Sequence, residues 1–352
     1  MSIPLGIHLY LPPLAVVKVQ RVDTRYQGQY DAAASSDLID GRFENAPVTD
    51  RRIRVVIGTR SRLELRERLT FLAFIAPNFL LFGVFVFWPL VFAAYLSLFD
   101  WNMSAPIRVF IGFENYRDLI NDKLFWKVLG NTARFIGGSV TGTVAIALVL
   151  ALALNERLRG RSVYRAAVFS PTITTAAAVA IVWQFIFDAE YGLVRALLSY
   201  VGVASPKWLG DPAWAMTSLT IVAIWQRIGY VTVIFLAGLQ AIPRELYEAA
   251  KVDGAGAISR FRHVTLPLLS PITFFVIVTS VIYSFQAFDL IAVMTAGGPI
   301  DATNVLSYYL YETAFKFFKA GLAASIALVF FSLVLVLTVL QQYIGRRWVH
   351  YA

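Results

Sequence analysis

The chain has 352 residues, of which 58% are hydrophobic and 15% charged, and 31 lysines and arginines against 22 aspartates and glutamates give a formal net charge of +9. A soluble globular domain is nearer a quarter charged, so this composition is typical of a polytopic membrane protein. The absence of cysteine excludes disulfides, thiolate metal sites and a cysteine nucleophile, and three histidines leave little for a metal cluster.

Residues 1–65 precede the first long apolar run and do not resemble a standard signal peptide. The early run IPLGIHLYLPPLAVVKV is apolar but short, and its adjacent Pro12 and Pro13 would break a helix. Residues 22–50 are mixed, acidic and rich in Asp, Ala and Ser. We expect a poorly ordered cytoplasmic extension, with an interfacial amphipathic anchor as the alternative.

Six apolar runs are long enough to cross a membrane, since a helix rises about 1.5 Å per residue and a hydrocarbon core of about 30 Å needs about 20 residues. The predicted spans are 70–97, 132–154, 165–187, 213–238, 268–294 and 320–343. We therefore predict an all-α membrane protein of six transmembrane helices within residues 66–352. Pro77, Pro89 and Pro271 are candidate kinks.

Lysine and arginine alternate in abundance between the two sides of these spans. On one side they number 17, in the segments 51–69, 155–165, 239–267 and 341–352, whereas the alternate loops 98–131, 188–212 and 295–319 hold eight. Cytoplasmic loops carry the excess, so both termini and the segment 239–267 are predicted to face the cytoplasm. The basic excess is thus a topology signal, and nucleic-acid binding is not expected.

Several catalytic signatures are missing from the chain. No G-x-x-x-x-G-K-[ST] loop, H-E-x-x-H or G-x-S-x-G is present, so the chain has no phosphate-cradling loop and no common hydrolase motif. Charges within the spans are sparse: Arg134 near an end, Arg227 in the middle and Asp289 toward the outer end. One carboxylate does not suggest a proton relay, so the energy for uphill transport is expected from another subunit.

The cytoplasmic segment contains the polar stretch ELYEAAKVDGAGAISRFRHVTLPLL. Pro243 and Glu245 suit the first turn of a helix, and Gly254 stands where that short helix should end. Alanines on one face would let another backbone approach closely. By local physics this is either an ordinary interfacial helix or a helix that fills a groove on a cytoplasmic partner.

The same loop carries a set of residues at characteristic spacing: Glu248, Ala249, Ala250, Gly254, Val264, Leu266 and Pro267. This pattern resembles the EAA loop of the permease subunits of bacterial ABC importers, with Val264 where isoleucine is common. The stretches FLAFIAPNFLLFGVFVFWPL, GFENYRDLI and GGPIDATNVLSYYLYETAFKF extend the resemblance, after residue 65, to carbohydrate-uptake permeases of the maltose, lactose, trehalose and glycerol-3-phosphate systems. The stretches RRWVHYA and AFDLIAVMTAGGP are most similar to the glycerol-3-phosphate type.

The resemblance implies a type I ABC importer permease fold, in the bacterial cytoplasmic membrane, that alternates between outward-open and inward-open states. It implies that Glu248, Ala249, Ala250 and Gly254 form a coupling helix that docks on an ATPase subunit. The implied partners are an ATPase dimer that uses ATP and Mg, a second homologous permease and an extracytoplasmic solute-binding protein. The chain itself would then bind no cofactor or metal and would not be an enzyme.

A sugar path needs aromatic faces and hydrogen-bonding groups near the membrane middle. The candidates are Trp183, Gln226, Arg227, Gln286 and Asp289. Their alternative role is packing between spans, because polar side chains also join helices by hydrogen bonds. For Arg227 three compensations stay open: pairing with Asp289, hydration in the solute cavity, or an anionic cargo.

The external loop contains Gly297, Gly298 and Pro299. These residues are interpreted as a plain turn or, by family resemblance, as a contact with the binding protein or an outer gate. Two other functional classes remain as rivals: a self-sufficient secondary carrier or channel, and a membrane enzyme. A further alternative keeps the importer fold with a peptide, an anion or another non-sugar cargo.

Overall fold

The computed structural model of the chain describes residues 60–156 and 159–348. Two units are distinguished, Met1–Thr70 and Phe71–Ala352, and every contact discussed below lies within the second. Residues 1–59 of the expected N-terminal extension lie outside the described residues. The division at residue 65 therefore stays a prediction.

The described elements are almost all helical. The first half contains α1 Arg60–Phe82, α2 Trp88–Leu96, β1 Phe99–Asp100, β2 Val109–Phe110, α3 Glu114–Asn121, α4 Lys123–Asn155, α5 Arg161–Ile173, α6 Ala176–Ile186 and α7 Leu193–Tyr200. The second half contains α8 Pro212–Ala241, α9 Arg244–Val252, α10 Ala257–Arg260, α11 Leu266–Leu268, α12 Ser270–Phe285, α13 Phe288–Met294, α14 Leu306–Tyr311 and α15 Ala320–Trp348. Three π-helical turns lie at Gly83–Phe87, Phe261–Thr265 and Glu312–Lys316.

Among the described residues, four helical stretches are each long and apolar enough to cross a membrane. They are Arg68–Leu96, Lys123–Asn155, Pro212–Ala241 and Ala320–Arg346. The number rises to six if each of two bent helix pairs counts as one span. The prediction of an all-α, multi-pass membrane protein is confirmed, with one short antiparallel pairing, β1 with β2, outside the helices.

The third predicted span, 165–187, is not a straight helix. It consists of α5 and α6, which meet at an angle of 102°. Thr174 and Thr175 separate them in an extended conformation, with ψ of 140° and 144°. The stretch 170–175, which contains Pro171, lies at this break, but the prediction of one continuous span did not use it.

The fifth predicted span, 268–294, is interrupted as well. A bend of 65° precedes α12, close to the expected kink residue Pro271. The span then stops at Phe285, and α13 begins at Phe288. In the first span the π-helical turn Gly83–Phe87 follows Pro77 and ends just before Pro89, where prolines lack the N–H that a regular helix needs.

Helix α8 is packed closely on both sides, and glycines make this packing feasible. On α4, a β-carbon at Gly138 would lie 3.0 Å from Thr220 of α8, and one at Gly142 would overlap Ile224. On α8 itself, a β-carbon at Gly229 would lie 2.8 Å from the backbone of Phe169 in α5. Small residues let membrane helices approach until their backbones nearly touch. Helix α8 is thereby fixed between α4 and α5, and its remaining face is turned toward α12.

Candidate functional site

Arg227 projects from α8 into a polar pocket between three helices. Its guanidinium carbon lies 4.2 Å from the ring centre of Tyr230 and 4.2 Å from that of Tyr283 on α12. A guanidinium over aromatic faces is stabilised by the ring quadrupoles, most strongly where water is scarce. Two tyrosine faces therefore provide part of the compensation that a charge at this depth requires.

The pocket has a volume of about 20 Å³, enough for about one water molecule. Three serines line it, and the hydroxyls of Ser139 and Ser284 lie 3.1 Å apart. In the described part of the chain, Ser280 Oγ and Arg227 Nε are buried without a hydrogen-bond partner. Buried polar groups without partners are rare in folded proteins, so these atoms fit a water or a polar ligand.

Gln226, the neighbour of Arg227, serves a different feature. Its side chain is 7% exposed and donates from Nε2 to the carbonyl of Thr174 at 3.3 Å. In return, Thr172 Oγ1 donates to the Gln226 carbonyl at 3.2 Å. The first bond satisfies a backbone carbonyl at the break between α5 and α6, and the second joins α5 to α8 beside that break. Gln226 thus stabilises the bend and does not line the pocket.

The other predicted path residues also lie outside the pocket. Trp183 packs edge-to-face against Trp225 with ring centres 5.5 Å apart. Gln286 is exposed at the end of α12, and Asp289 is exposed in the first turn of α13, where a carboxylate is favoured. Among the described residues, no ion pair joins Asp289 to Arg227. Arg227 is the predicted path residue that lines this pocket.

Sequence reasoning missed the residues that surround Arg227. They are Ser139, Tyr230, Ser280, Tyr283 and Ser284. A signal existed for Tyr230, which follows Arg227 by one helical turn, and for Ser280 and Ser284, which share a helix face. The pairing of α4 with α12 across α8 had no local signal.

The predicted coupling residues lie on and just after α9. Glu248 and Ala249 are exposed, and Ala250 is half-buried. Gly254 has φ of +80° and follows the last turn. The N–H of Gly254 donates to the carbonyl of Lys251 at 3.0 Å, and that of Ala255 donates to Ala250 at 2.9 Å. This pair of bonds is a Schellman cap, which requires the left-handed conformation that glycine adopts without strain.

Side-chain contacts hold the parts of this segment together. Tyr247 Oη lies 3.0 Å from Thr265 Oγ1, and Arg260 donates to the Ala255 carbonyl at 2.9 Å. The opposite surface is bare: Val252 is 88% exposed and Ile258 is 84% exposed. The segment therefore presents a rigid, capped helix with apolar side chains that no described residue covers.

The loop predicted to be external is a closely hydrogen-bonded turn. Gly297 is buried with φ of +79°, and a β-carbon there would lie 2.9 Å from the ring of Tyr308. Thr303 Oγ1 donates to the Gly298 carbonyl at 2.6 Å. The Gly298–Pro299 peptide bond is cis. Ile300, which follows this turn, is 80% exposed.

The helices after this loop hold a polar network. Lys316 donates to the Tyr308 hydroxyl at 2.6 Å and forms a 3.0 Å ion pair with Glu312. The hydrogen bond to Tyr308, with Glu312, raises the pKa of Lys316 to about 12. Burial, with the neighbouring Asp122 carboxylate, raises the pKa of Tyr309 to about 12. Both groups therefore keep their protons throughout the physiological range.

Residues 143–350 match the family described as "Binding-protein-dependent transport system inner membrane component". The trehalose/maltose transport system permease protein of Thermococcus litoralis is 35% identical over 289 residues, which cover 81% of this chain and 97% of that protein. The chain belongs to this permease family. The permease is also 35% identical to the lactose transport system permease protein of Rhizobium radiobacter over 280 residues, covering 78% and 93% of the two chains. The sulfoquinovosyl glycerol transport system permease protein of Agrobacterium fabrum is 33% identical over 285 residues, covering 81% and 92%.

Solved structures agree with the fold of the permease. A chain of a bacterial ABC transporter that imports the acidic polysaccharide alginate superposes with a TM-score of 0.72 at 22% identity, covering 82% of this chain and 99% of that one. The same transporter in complex with a periplasmic protein bound to an alginate pentasaccharide gives a TM-score of 0.71 at 21% identity. The permease therefore has the type I importer fold, as the sequence predicted. The side of the membrane on which its termini lie stays a prediction.

Proposed function

We propose that this permease passes a sugar or sugar-like solute across the bacterial cytoplasmic membrane through the pocket at Arg227. The observation that carries the proposal is the guanidinium held between Tyr230 and Tyr283 and faced by three serines. Aromatic faces pack on sugar rings, while hydroxyl and guanidinium groups bind sugar oxygens. The pocket admits about one water, so a solute enters only when the surrounding helices separate.

Relatives supply a second line of support for a sugar. The permeases of the trehalose/maltose, lactose and sulfoquinovosyl glycerol systems each align over more than three quarters of this chain. Sulfoquinovosyl glycerol and alginate are anionic, and trehalose, maltose and lactose are neutral. The positive charge of Arg227 favours an anionic member of this class, and glycerol-3-phosphate is one such solute.

The energy source of the proposed importer is a partner ATPase dimer that binds ATP and Mg. Glu248, Ala249, Ala250 and Gly254 would dock on it, because α9 is rigidly capped and its outer surface is uncovered. A second homologous permease would complete the pathway, and an extracytoplasmic binding protein would deliver the solute. Both termini would lie in the cytoplasm.

The test is uptake by the assembled importer in proteoliposomes, with neutral sugars, uronic acids and glycerol-3-phosphate as the solute panel. Arg227→Gln retains hydrogen bonding but removes the charge. We expect it to reduce uptake of the accepted solute at least tenfold while the yield of assembled complex stays normal. Normal uptake would refute the pocket as the path, and uptake by this chain alone would favour a secondary carrier.

The same variant decides whether Arg227 and Asp289 act as a structural pair in another conformation. In that case each of Arg227→Gln and Asp289→Asn would lower the yield of complex, and the double variant would recover it. We expect the yield to stay normal in both single variants, and Asp289→Asn not to restore the uptake lost in Arg227→Gln, because the two side chains form no ion pair in the described part of the chain.

Orientation is tested by single cysteines, since the chain contains none. Ile258→Cys and Ile300→Cys replace residues that are 84% and 80% exposed. In intact cells, an impermeant thiol reagent should label the cysteine at 300 and spare the one at 258. The reverse pattern would place the coupling segment on the wrong side for an ATPase.

A further inference from the structure

A second and much larger cavity lies at the N-terminal halves of α4 and α8. Its volume is about 880 Å³, large enough for a small oligosaccharide, against about 20 Å³ for the pocket at Arg227. The polar and aromatic residues in its wall include Trp126, Lys127, Asn131, Arg134, Thr217 and Thr220. By the predicted orientation, this cavity opens toward the extracytoplasmic side.

The charged side chains in the wall of this cavity are both cationic. Lys127 and Arg134 lie seven residues apart on α4, about two turns or 10 Å along one helix face. None of the described lining residues is acidic. Lys127 uses one of its three donors on the Ile300 carbonyl. Within the described residues, Arg134 forms no hydrogen bond or ion pair, so its donors are available to a ligand in the cavity that it lines.

Trp126 adds a flat surface beside these cations. Its indole N–H donates to the Ile120 carbonyl at 2.7 Å, which fixes the orientation of the ring. Because that bond uses the only polar atom of the indole, the exposed ring offers an apolar face. An apolar face next to two cations is suited to a sugar ring that carries an oxyanion.

The cavity and the pocket at Arg227 follow one another along α8. Thr217 and Thr220 line the cavity, and Ala223 and Arg227 line the pocket, at the three- and four-residue steps of one helix face. Between the two levels α4 and α8 are in close contact, with Gly138 against Thr220 and Gly142 against Ile224. A solute in the cavity would therefore be separated from Arg227 by the close contact between α4 and α8, about two helical turns along α8.

We propose that this outer cavity is a first binding station for a solute that carries a carboxylate, sulfonate or phosphate group, held by Lys127 and Arg134. The inference rests on the proposed function, in that the same solute would then move on to Arg227. An acidic segment of the binding protein is a different class of occupant and is separated from the solute by the experiment.

The test measures equilibrium binding, so it is independent of uptake. The assembled importer in nanodiscs, without the binding protein, is titrated with digalacturonate, with glycerol-3-phosphate and with the neutral digalactose of the same linkage. We expect an anionic probe to bind at least tenfold more tightly than digalactose. The double variant Lys127→Gln/Arg134→Gln should abolish that preference, whereas Lys123→Gln, a matched loss of charge outside the cavity wall, should preserve it.

Three results would refute the proposed binding site in the cavity: equal binding of neutral and anionic probes, anion binding that survives the double variant, or no binding of either anion.

In a second experiment the binding protein is added, and the concentration of binding protein that half-maximally stimulates ATP hydrolysis is measured. A shift of that concentration in the double variant, with probe binding unchanged, would assign the cations to the binding protein. Failure of Arg227→Gln to affect uptake would refute the proposed path and leave the probe-binding result standing on its own.

Discussion

Two segments that each join two spans differ in how completely their side chains are covered: 295–319, called the external segment after its predicted side, and 243–268, called the cytoplasmic segment after its predicted side. In the external segment Thr303 and Asn304 are 0% and 1% exposed, and Asn131 of α4 donates to the carbonyls of Asp301 and Asn304. In the cytoplasmic segment Val252 and Ile258 project outward with no described residue over them. One loop is completed by its own chain, and the other leaves an apolar surface open.

The glycines of the two segments differ in the same way. Gly297 has a positive φ and is also crowded by Tyr308, so it permits both a turn and close packing. Gly254 has a positive φ too, but a β-carbon there would meet nothing within 4 Å. Its conformation caps α9, and the space beside it stays free. A helix held rigid beside free space is suited to a partner, which is why the two loops should respond differently to similar changes.

Gly254→Val should produce the largest effect, and on transport. A β-branched residue in the left-handed region costs about 1–2 kcal/mol, enough to open the Schellman cap and displace the end of α9. We expect uptake by the assembled importer to fall about tenfold or more, with a normal amount of permease in the membrane. Gly256→Val is the control, because Gly256 has φ of −67° and equally free space. Equal loss in the two variants would remove the cap from the explanation.

Gly297→Ala should act on the external segment and on stability. The left-handed strain is joined here by a β-carbon 2.9 Å from the Tyr308 ring, so we expect a loss of about 2–3 kcal/mol of folding free energy. The measurement is the thermal unfolding temperature of the purified permease in detergent. Gly210→Ala, in another external loop with ordinary space for a β-carbon, should leave that temperature nearly unchanged. An unchanged temperature in Gly297→Ala would mean that the loop is less tightly closed than its contacts indicate.

Asn131→Leu tests the bonds that fix the external segment to α4. Removal of the Asn131 amide leaves the carbonyls of Asp301 and Asn304 without their donor, at a cost of about 1–3 kcal/mol. The unfolding temperature should fall by less than in Gly297→Ala. Asn121→Leu, at an exposed position at the end of α3, is the matched control. Similar temperatures in the two variants would show that water replaces the lost donor at no cost.

Sequence and structure agree best where the determinants are local. Pro243, Glu245 and Gly254 marked the ends of α9, because capping and turn chemistry operate within a few residues. Arg227 was recognised because a charged side chain within an apolar span needs a group that compensates its charge.

In the fifth span Pro271 marked the first bend, but nothing marked the second break between Phe285 and Phe288, and the break in the third span was not predicted. The Thr174 carbonyl in the extended turn accepts a hydrogen bond from Gln226, about fifty residues away. The partners of Arg227 come from α4 and α12, and their meeting depends on the glycines that set how closely α4 and α8 approach. Those contacts are tertiary, so no window of the sequence contains them.

Tyr247→Phe should have the smallest effect, and it tests a single hydrogen bond within the cytoplasmic segment. The change keeps the ring and removes the hydroxyl that lies 3.0 Å from Thr265 Oγ1, which joins α9 to the π-helical turn before α11. A neutral hydrogen bond contributes about 1 kcal/mol, so we expect uptake to fall no more than about fivefold and the unfolding temperature to stay within a few degrees of the parent. Thr265→Val should give a similar loss, and the double variant should be no worse than either single change, because one bond is removed in all three. Additive losses would mean that the two hydroxyls act separately. In that case α9 would transmit its movement to the spans through the packing of the Tyr247 ring alone.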